Sequence, residues 1–483
     1  MFGKLRGRPL GQVLAEAFSP HVFFYRPLVR VYMALMYHFF GVSAFVSHVM
    51  LTACLAANAV MVGLIAREFT KSWELAIFVA MTYAAATTIH MDPLMMQICG
   101  AENFGAGLCG FASLWLFLRG RLKLSATLYG VALLFKESAV VLPGLFAAFS
   151  WLVEEKGGLG QRTKVTLRRI WPHTAVLVAY AALRWSGGFA MDSSPQGPYY
   201  MSFWGRHLVQ NSAAYLRWAM EAVLPNVPRA GAVLFGLGVF GTALFLRLRC
   251  AGRLPSLQVA TELLKEPVVL TVWFVLALLP VLPLPNHTYR YYAGLALPAL
   301  IIAWWQAMFL IFRRLLGDGL RSNVALGAVL VTVLVASGAA LRERVASQID
   351  WDGSNLPLKR AGVVAWVQPL VSSSAAQLSG DMTLLFDGLE VWSFGKEQGP
   401  RLWSSNPTLQ VFSTAHLKAG DGGTLAIVNA PTNHAEVYTG ARNRIELDPT
   451  RTFVVHKQDG GVRMDPIRVF LERQAKRAFR SIR

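Results

Sequence analysis

Three cations and a handful of acids stand out as residues able to do chemistry in this chain. Arg26, Lys136 and Arg290 each sit beside a Pro, an acid or a Tyr at the edge of an apolar run, and Glu16, Asp92, Glu102 and Glu137 are the acids close to such edges. Arg binds phosphate through a bidentate fork and Lys as a point charge. A nearby carboxylate can take the proton of a hydroxyl as it attacks a sugar. Cations for a phosphate leaving group plus an acid for the nucleophile are the requirements of glycosyl transfer from a lipid-phosphate donor. His90 and Tyr289 flank the same edges, and Glu137 adjoins Lys136, so these three are read as supporting residues. Anion transporters use the same residue types. His38, His48 and His90 show no metal-ligand spacing, and Cys54, Cys99, Cys109 and Cys250 form no CxxC pair. No cofactor is therefore expected, except that Asp92 and Glu102 suit a divalent Mg or Mn ion if one is used.

The elements that must position these residues follow from composition. The chain has 483 residues, 54% hydrophobic and 15% charged, with a mean hydropathy of +0.42, against about 25% charge in a soluble domain. It is an integral membrane protein by this measure. Ten candidate spans lie at roughly 43–66, 74–90, 104–118, 124–135, 138–153, 170–185, 230–248, 267–284, 293–312 and 323–341. The net charge of +19 is spread unevenly between the loops: alternate loops carry 17 Lys or Arg, the others 5. By the positive-inside rule the first set is cytoplasmic. A basic excess divided among five short loops forms no patch for nucleic acid, and no nucleic-acid partner is expected.

The outer loops then gather Glu16, Arg26, Arg30, His90, Asp92, Glu102, Lys136, Glu137, Asp192 and residues 286–290. Between basic flanks on both sides, the stretch 120–153 must turn back at Lys136-Glu137-Ser138, with arms of about 12 and 16 residues, or roughly 18 and 24 Å. The hydrocarbon layer is about 30 Å thick. The turn is therefore expected below the outer surface, where ionisable groups persist only if they pair or line a wet cavity.

Residues 1–42 read as an outer-face interfacial or re-entrant segment, 43–341 as the transmembrane domain, and 342–483 as an extracytoplasmic soluble domain. Residues 207–224 carry Arg217 and Glu221 within an apolar pattern, which predicts an amphipathic outer-face helix. The last region holds 18 basic and 14 acidic residues, with short apolar runs at 382–386 and 424–430, and predicts α/β or mainly β structure ending in a basic helix near 466–482. The expected fold class is thus an all-α polytopic membrane protein of about ten transmembrane helices plus outer-face amphipathic helices, with a soluble C-terminal domain. No internal repeat is visible.

Several segments resemble, in order, the GT-C membrane glycosyltransferases, and in particular their protein O-mannosyltransferase-like branch. Phe24-Tyr25-Arg26-Pro27-Leu28 resembles the YRPL segment of the first outer loop. Lys136-Glu137-Ser138 with Leu142-Pro143 resembles a KE-S-x-x-x-L-P motif at a span entrance. His90 to Glu102 is similar to the second outer loop, although His90-Met91-Asp92-Pro93 separates the usual His-Pro pair. Tyr289-Arg290-Tyr291-Tyr292 resembles the late RY motif. The likeness covers residues 20–315. It implies a GT-C-like fold and an inverting sugar transfer from a polyprenyl-phosphate donor to a protein, lipid or glycan acceptor, in contact with membrane lipid at the outer face of the bacterial inner (plasma) membrane. It also implies donor-phosphate binding by Arg26, Lys136 and Arg290, with Asp92, Glu102 or Glu16 as base. Family members carry a first span and an acidic loop before YRPL. Here Glu16 is the only acid before Glu68, which predicts that this span is missing from the chain or that the role has moved. An anionic-lipid transporter or flippase and an inactive GT-C homologue serving as an assembly partner are the alternatives.

Overall fold

The computed structural model describes residues 9–19, 25–41, 43–95, 97–154, 158–187, 199–225, 236, 238–246, 257–346, 356–387, 389, 398–413, 435–438, 444–448, 450–458, 461–470 and 472–473. Asp192, Cys250, the run 424–430 and most of the expected terminal helix lie outside the described residues, and of Asp92 only the backbone is described. The chain falls into two compact units, Leu10–Glu343 and one that contains Arg344–Arg483.

The first unit is helical. Helices α1 (Leu10–Ala17) and α2 (Pro27–Phe40) precede α3 (Ala44–Thr70), the longest apolar element of this half. Ser43 caps α3 by accepting from the Val46 amide, and Lys71 ends it in the left-handed conformation at φ 57°. Then come α4 (Trp73–Ala84), α5 (Thr87–Met95), α6 (Gln97–Leu118), α7 (Leu122–Phe135) and α8 (Leu142–Phe149), followed by α9 (Leu159–Ser186) and α10 (Arg206–Val223). A helical stretch at 238–246, then α11 (Leu257–Leu278), α12 (Leu297–Leu316) and α13 (Leu320–Ala346) complete the unit. Among the described residues, four segments are long and apolar enough to cross a membrane: Phe45–Thr70, Cys99–Leu118, Leu297–Leu316 and Leu320–Glu343. Trp73–Ala84, Leu122–Phe135 and Glu137–Leu152 are apolar but shorter.

Side-chain contacts fix how these helices run. Asn58 donates to Phe104 O at 2.9 Å, and Glu68 meets Arg119 at 3.6 Å, so α3 and α6 lie side by side in the same direction. The chain reverses twice after α6. Lys136 at the end of α7 returns to Asn103 near the start of α6, while Phe146 of α8 stacks on Phe117 at its far end with ring centroids 4.8 Å apart. Ser113, Ser125 and His173 bond one another at 2.7–3.1 Å and tie α6, α7 and α9 together. Such interhelical bonds contribute about 0.6–2 kcal/mol each in a membrane bundle. Trp273, Trp304 and Trp305 are fully buried in the core, and the Trp305 indole donates to Thr82 at 2.9 Å, joining α12 to α4.

One end of this bundle collects basic groups. Glu68 lies between Lys71 and Arg119, Arg313 pairs with Glu74 at 2.8 Å, and Arg169 donates to Phe117 O at 3.1 Å. These belong to the loops counted as basic in the sequence. The opposite end holds Arg26, Glu102 and Lys136.

The second unit contains α14 (Leu356–Ser373), a short helix α15 (Gln398–Trp403) and six strands. Strands β1 (Thr383–Asp387), β2 (Gln410–Ser413), β5 (Thr452–Gln458) and β6 (Gly461–Pro466) form one sheet in the order β2-β1-β5-β6. In it β1 is parallel to β2 and β5, and β5 is antiparallel to β6. Strands β3 (Ala435–Tyr438) and β4 (Arg444–Leu447) pair separately. Val363, Val367 and Val371 recur on one side of α14 and share a core with Leu384, Phe386 and Val455. The apolar run expected at 382–386 is thus the central strand.

Candidate functional site

The turn after α7 is built by local chemistry. Lys136 leaves the helix in an extended conformation (φ −158°, ψ 134°), a single 3-10 turn covers Glu137–Val141, and Pro143 sits in the first turn of α8, where no amide donor is needed. This sets Lys136 and Glu137 facing different neighbours. Glu137 meets Arg26, which directly precedes Pro27 of α2 and is therefore held out of the helix.

Arg26 spends its guanidinium on two carboxylates. Nε and Nη2 grip Glu137 in a bidentate fork, with Nε to Oε2 at 2.9 Å, and Nη1 reaches Glu102 Oε1 at 2.6 Å. The Arg26 and Glu102 side chains are 11% and 13% exposed, that of Glu137 44%. One cation thereby ties together α2, α6 and the α7–α8 turn. Glu102 thus meets a counter-ion within the bundle.

Lys136 is only 2% exposed. Its ammonium donates to Asn103 Oδ1 at 2.8 Å and lies 5.0 and 4.7 Å from the ring centroids of Tyr291 and Tyr292. Among the described residues it forms no ion pair. A cation–π contact contributes up to about 2 kcal/mol when desolvated, well short of the cost of burying an isolated charge.

Lys136 and Asn103 line a cleft together with His90, Pro93, Ser138, Tyr291 and Tyr292, and with Tyr83, Phe104 and Leu295 on its apolar side. His90 is buried, donates from Nε2 to Tyr83 O at 3.0 Å, and packs on the Tyr83 and Phe104 rings. Tyr289, Tyr291 and Tyr292 form an aromatic group in which Tyr289 and Tyr291 stack at 5.3 Å and 11°. Asn211 of α10 positions the segment leading to them: its amide donates to Leu282 O and Leu284 O, and its oxygen accepts from Thr288 at 2.7 Å.

The structure therefore brings Arg26, Glu102, Glu137 and Lys136 into one cluster, with His90 lining the cleft beside it. Arg290 is half-buried, 4.0 Å from Glu221 of α10 and over the Trp218 ring at 5.6 Å. Glu16 lies on the exposed face of α1. Asp92 is carried on α5 between His90 and Pro93, two residues of the cleft lining. Among the described residues no group of three or more His, Cys, Asp or Glu could hold a metal ion.

Asn103 and Tyr83 are contributors that the sequence reading passes over. Tyr83 gives no signal inside an apolar run. Asn103 does give one: with Glu102 it forms a polar pair at the head of an otherwise apolar helix. Compared with protein-family models, with characterised proteins and with solved structures, the chain matches none.

Proposed function

We propose that this protein transfers a sugar from a polyprenyl-phosphate donor to a hydroxyl acceptor at the outer face of a membrane. One observation carries the reading: a buried lysine with no ion pair among the described residues, facing a cleft beside an apolar bundle. Among the described residues this buried ammonium has no direct ion pair, and an anionic headgroup delivered from the lipid phase would supply one. From Asn103 to the far end of α6 the helix rises about 22 Å. In a hydrocarbon layer of about 30 Å, Lys136 then lies below the surface, at the depth of a lipid phosphate drawn slightly inward.

In this reading the acceptor oxygen attacks the anomeric carbon from the side opposite the phosphate. The bond from that carbon to the phosphate oxygen breaks, and the phosphate leaves with the electron pair. Lys136 stabilises the charge that develops, while Arg26 is tied to Glu102 and Glu137 and Arg290 lies beside Glu221. The acceptor proton passes to a carboxylate, for which Asp92, Glu102 and Glu16 are the candidates. Inversion at the anomeric carbon follows from the single displacement. Ten spans, a bacterial inner membrane and an external C-terminal unit are the topology that accompanies this proposal, supported by the basic groups gathered at the end away from Lys136.

The test is transfer of labelled sugar from a synthetic polyprenyl-phosphate sugar by the purified protein in liposomes. Labelled product with inverted configuration is expected. Movement of intact donor across the bilayer without cleavage would replace this reading with a transporter.

A further inference from the structure

Glu102 and Asn103 are successive residues of α6, and each faces one of the two cations. Glu102 meets Arg26 at 2.6 Å and Asn103 meets Lys136 at 2.8 Å. The two acceptors differ by one methylene and by a full negative charge. An ammonium has three donors and no acceptor, so only the amide oxygen of Asn103 can face it. The amide nitrogen turns back along the helix, donating to Cys99 O at 2.7 Å and approaching Cys99 Sγ at 3.2 Å. Held at both ends, Asn103 aims Lys136 without neutralising it.

Resting on the anionic-donor reading above, we propose that Asn103 is a specificity-determining residue of this site, leaving Lys136 without a direct ion pair among the described residues so that the cleft selects a phosphate headgroup over a neutral one. A carboxylate at position 103 has nearly the same shape. It would close an ion pair with Lys136, cancel the local positive potential, and set a like charge against an incoming phosphate. The contrast with Glu102 makes the choice legible, since the same turn of helix already neutralises Arg26 where a permanent pair is wanted.

The experiment measures binding of farnesyl phosphate and of farnesol to the full-length protein in lipid nanodiscs, for wild type and Asn103→Asp, with the thermal midpoint of each. Wild type is expected to prefer farnesyl phosphate. Asn103→Asp is expected to weaken farnesyl phosphate by about 10-fold or more, since like-charge juxtaposition costs several times the energy of thermal motion. Its farnesol binding should be unchanged and its midpoint equal or higher, because a charged acceptor replaces a neutral one beside a buried cation. Unchanged phosphate affinity in Asn103→Asp would overturn the role of Asn103 while leaving the donor reading intact. A lowered midpoint or loss of folding in that variant would also overturn it, because Lys136 would then not be an uncompensated charge. Equal binding of farnesyl phosphate and farnesol by wild type would instead remove the donor reading itself.

Discussion

Two cations, Arg26 and Lys136, share one end of this bundle, and their surroundings divide the labour between them. Arg26 is saturated by Glu102 and Glu137 and acts as a tie between three elements, whereas Lys136 has a neutral oxygen and two aromatic faces. Removing one partner of a buried pair strands the other charge. Arg26→Gln is therefore expected to destabilise the protein by about 3–5 kcal/mol, the usual cost of an orphaned buried ion, and Arg26→Gln with Glu102→Gln to recover part of that loss. Thermal unfolding of the single and double variants in one detergent checks it. A double variant no more stable than the single one would show that the pair is not coupled.

At the scale of elements, the site depends on how closely α6 and α7 approach. A Cβ on Gly105 would fall 2.5 Å from the ring of Phe135, the residue just before Lys136. Gly105→Ala should force that ring aside at a cost of about 1–3 kcal/mol, as overpacking does, and displace Lys136 with it. Reduced farnesyl phosphate binding together with a lower thermal midpoint is the expected result, and an unchanged midpoint would mean that the helices separate freely. The sequence makes much of this legible. The Lys136 reversal follows from two short apolar arms between basic flanks, and the Arg26 position from the Pro that follows it. What it leaves hidden is pairing: nothing in the spacing of Arg26, Glu102 and Glu137 says that one arginine bridges both acids, because that depends on three helices meeting in space. The Arg290 contact with Glu221 is hidden for the same reason. Asp92 is one of the acids that the sequence offers as a base, and its side chain lies outside the described residues.

Taken whole, the chain joins a helical unit with membrane-crossing helices to a unit with a mixed sheet, and each has its own electrostatic centre. In the second unit Asp465 is buried and accepts from His456 Nε2 at 3.0 Å, Arg463 Nε at 2.9 Å and Arg473 Nη1 at 2.6 Å. Burial pushes its carboxyl up, but the His456 hydrogen bond and the charges of Arg463 and Arg473 outweigh it and hold the group below its ordinary value of 3.8. A carboxylate with a depressed folded value stabilises the fold above its unfolded value, and that stability is lost as pH falls through the folded one. Amide protection in β5 and β6 of the full-length protein should therefore drop as pH is lowered below about 4, and Asp465→Asn should flatten that dependence. A variant with the wild-type pH profile would remove Asp465 from the explanation.

In the other unit Lys136 forms no ion pair among the described residues, and the proposed function has it draw a lipid phosphate into the cleft and stabilise it as it leaves. The most direct measurement of that role is the rate of labelled-sugar transfer from a polyprenyl-phosphate donor in liposomes by wild type and by Lys136→Met, both confirmed folded. The account predicts transfer by wild type and a loss of about 10²-fold or more in the variant, the usual effect of removing one preorganised donor from a developing anion. Equal rates in the two proteins would contradict it.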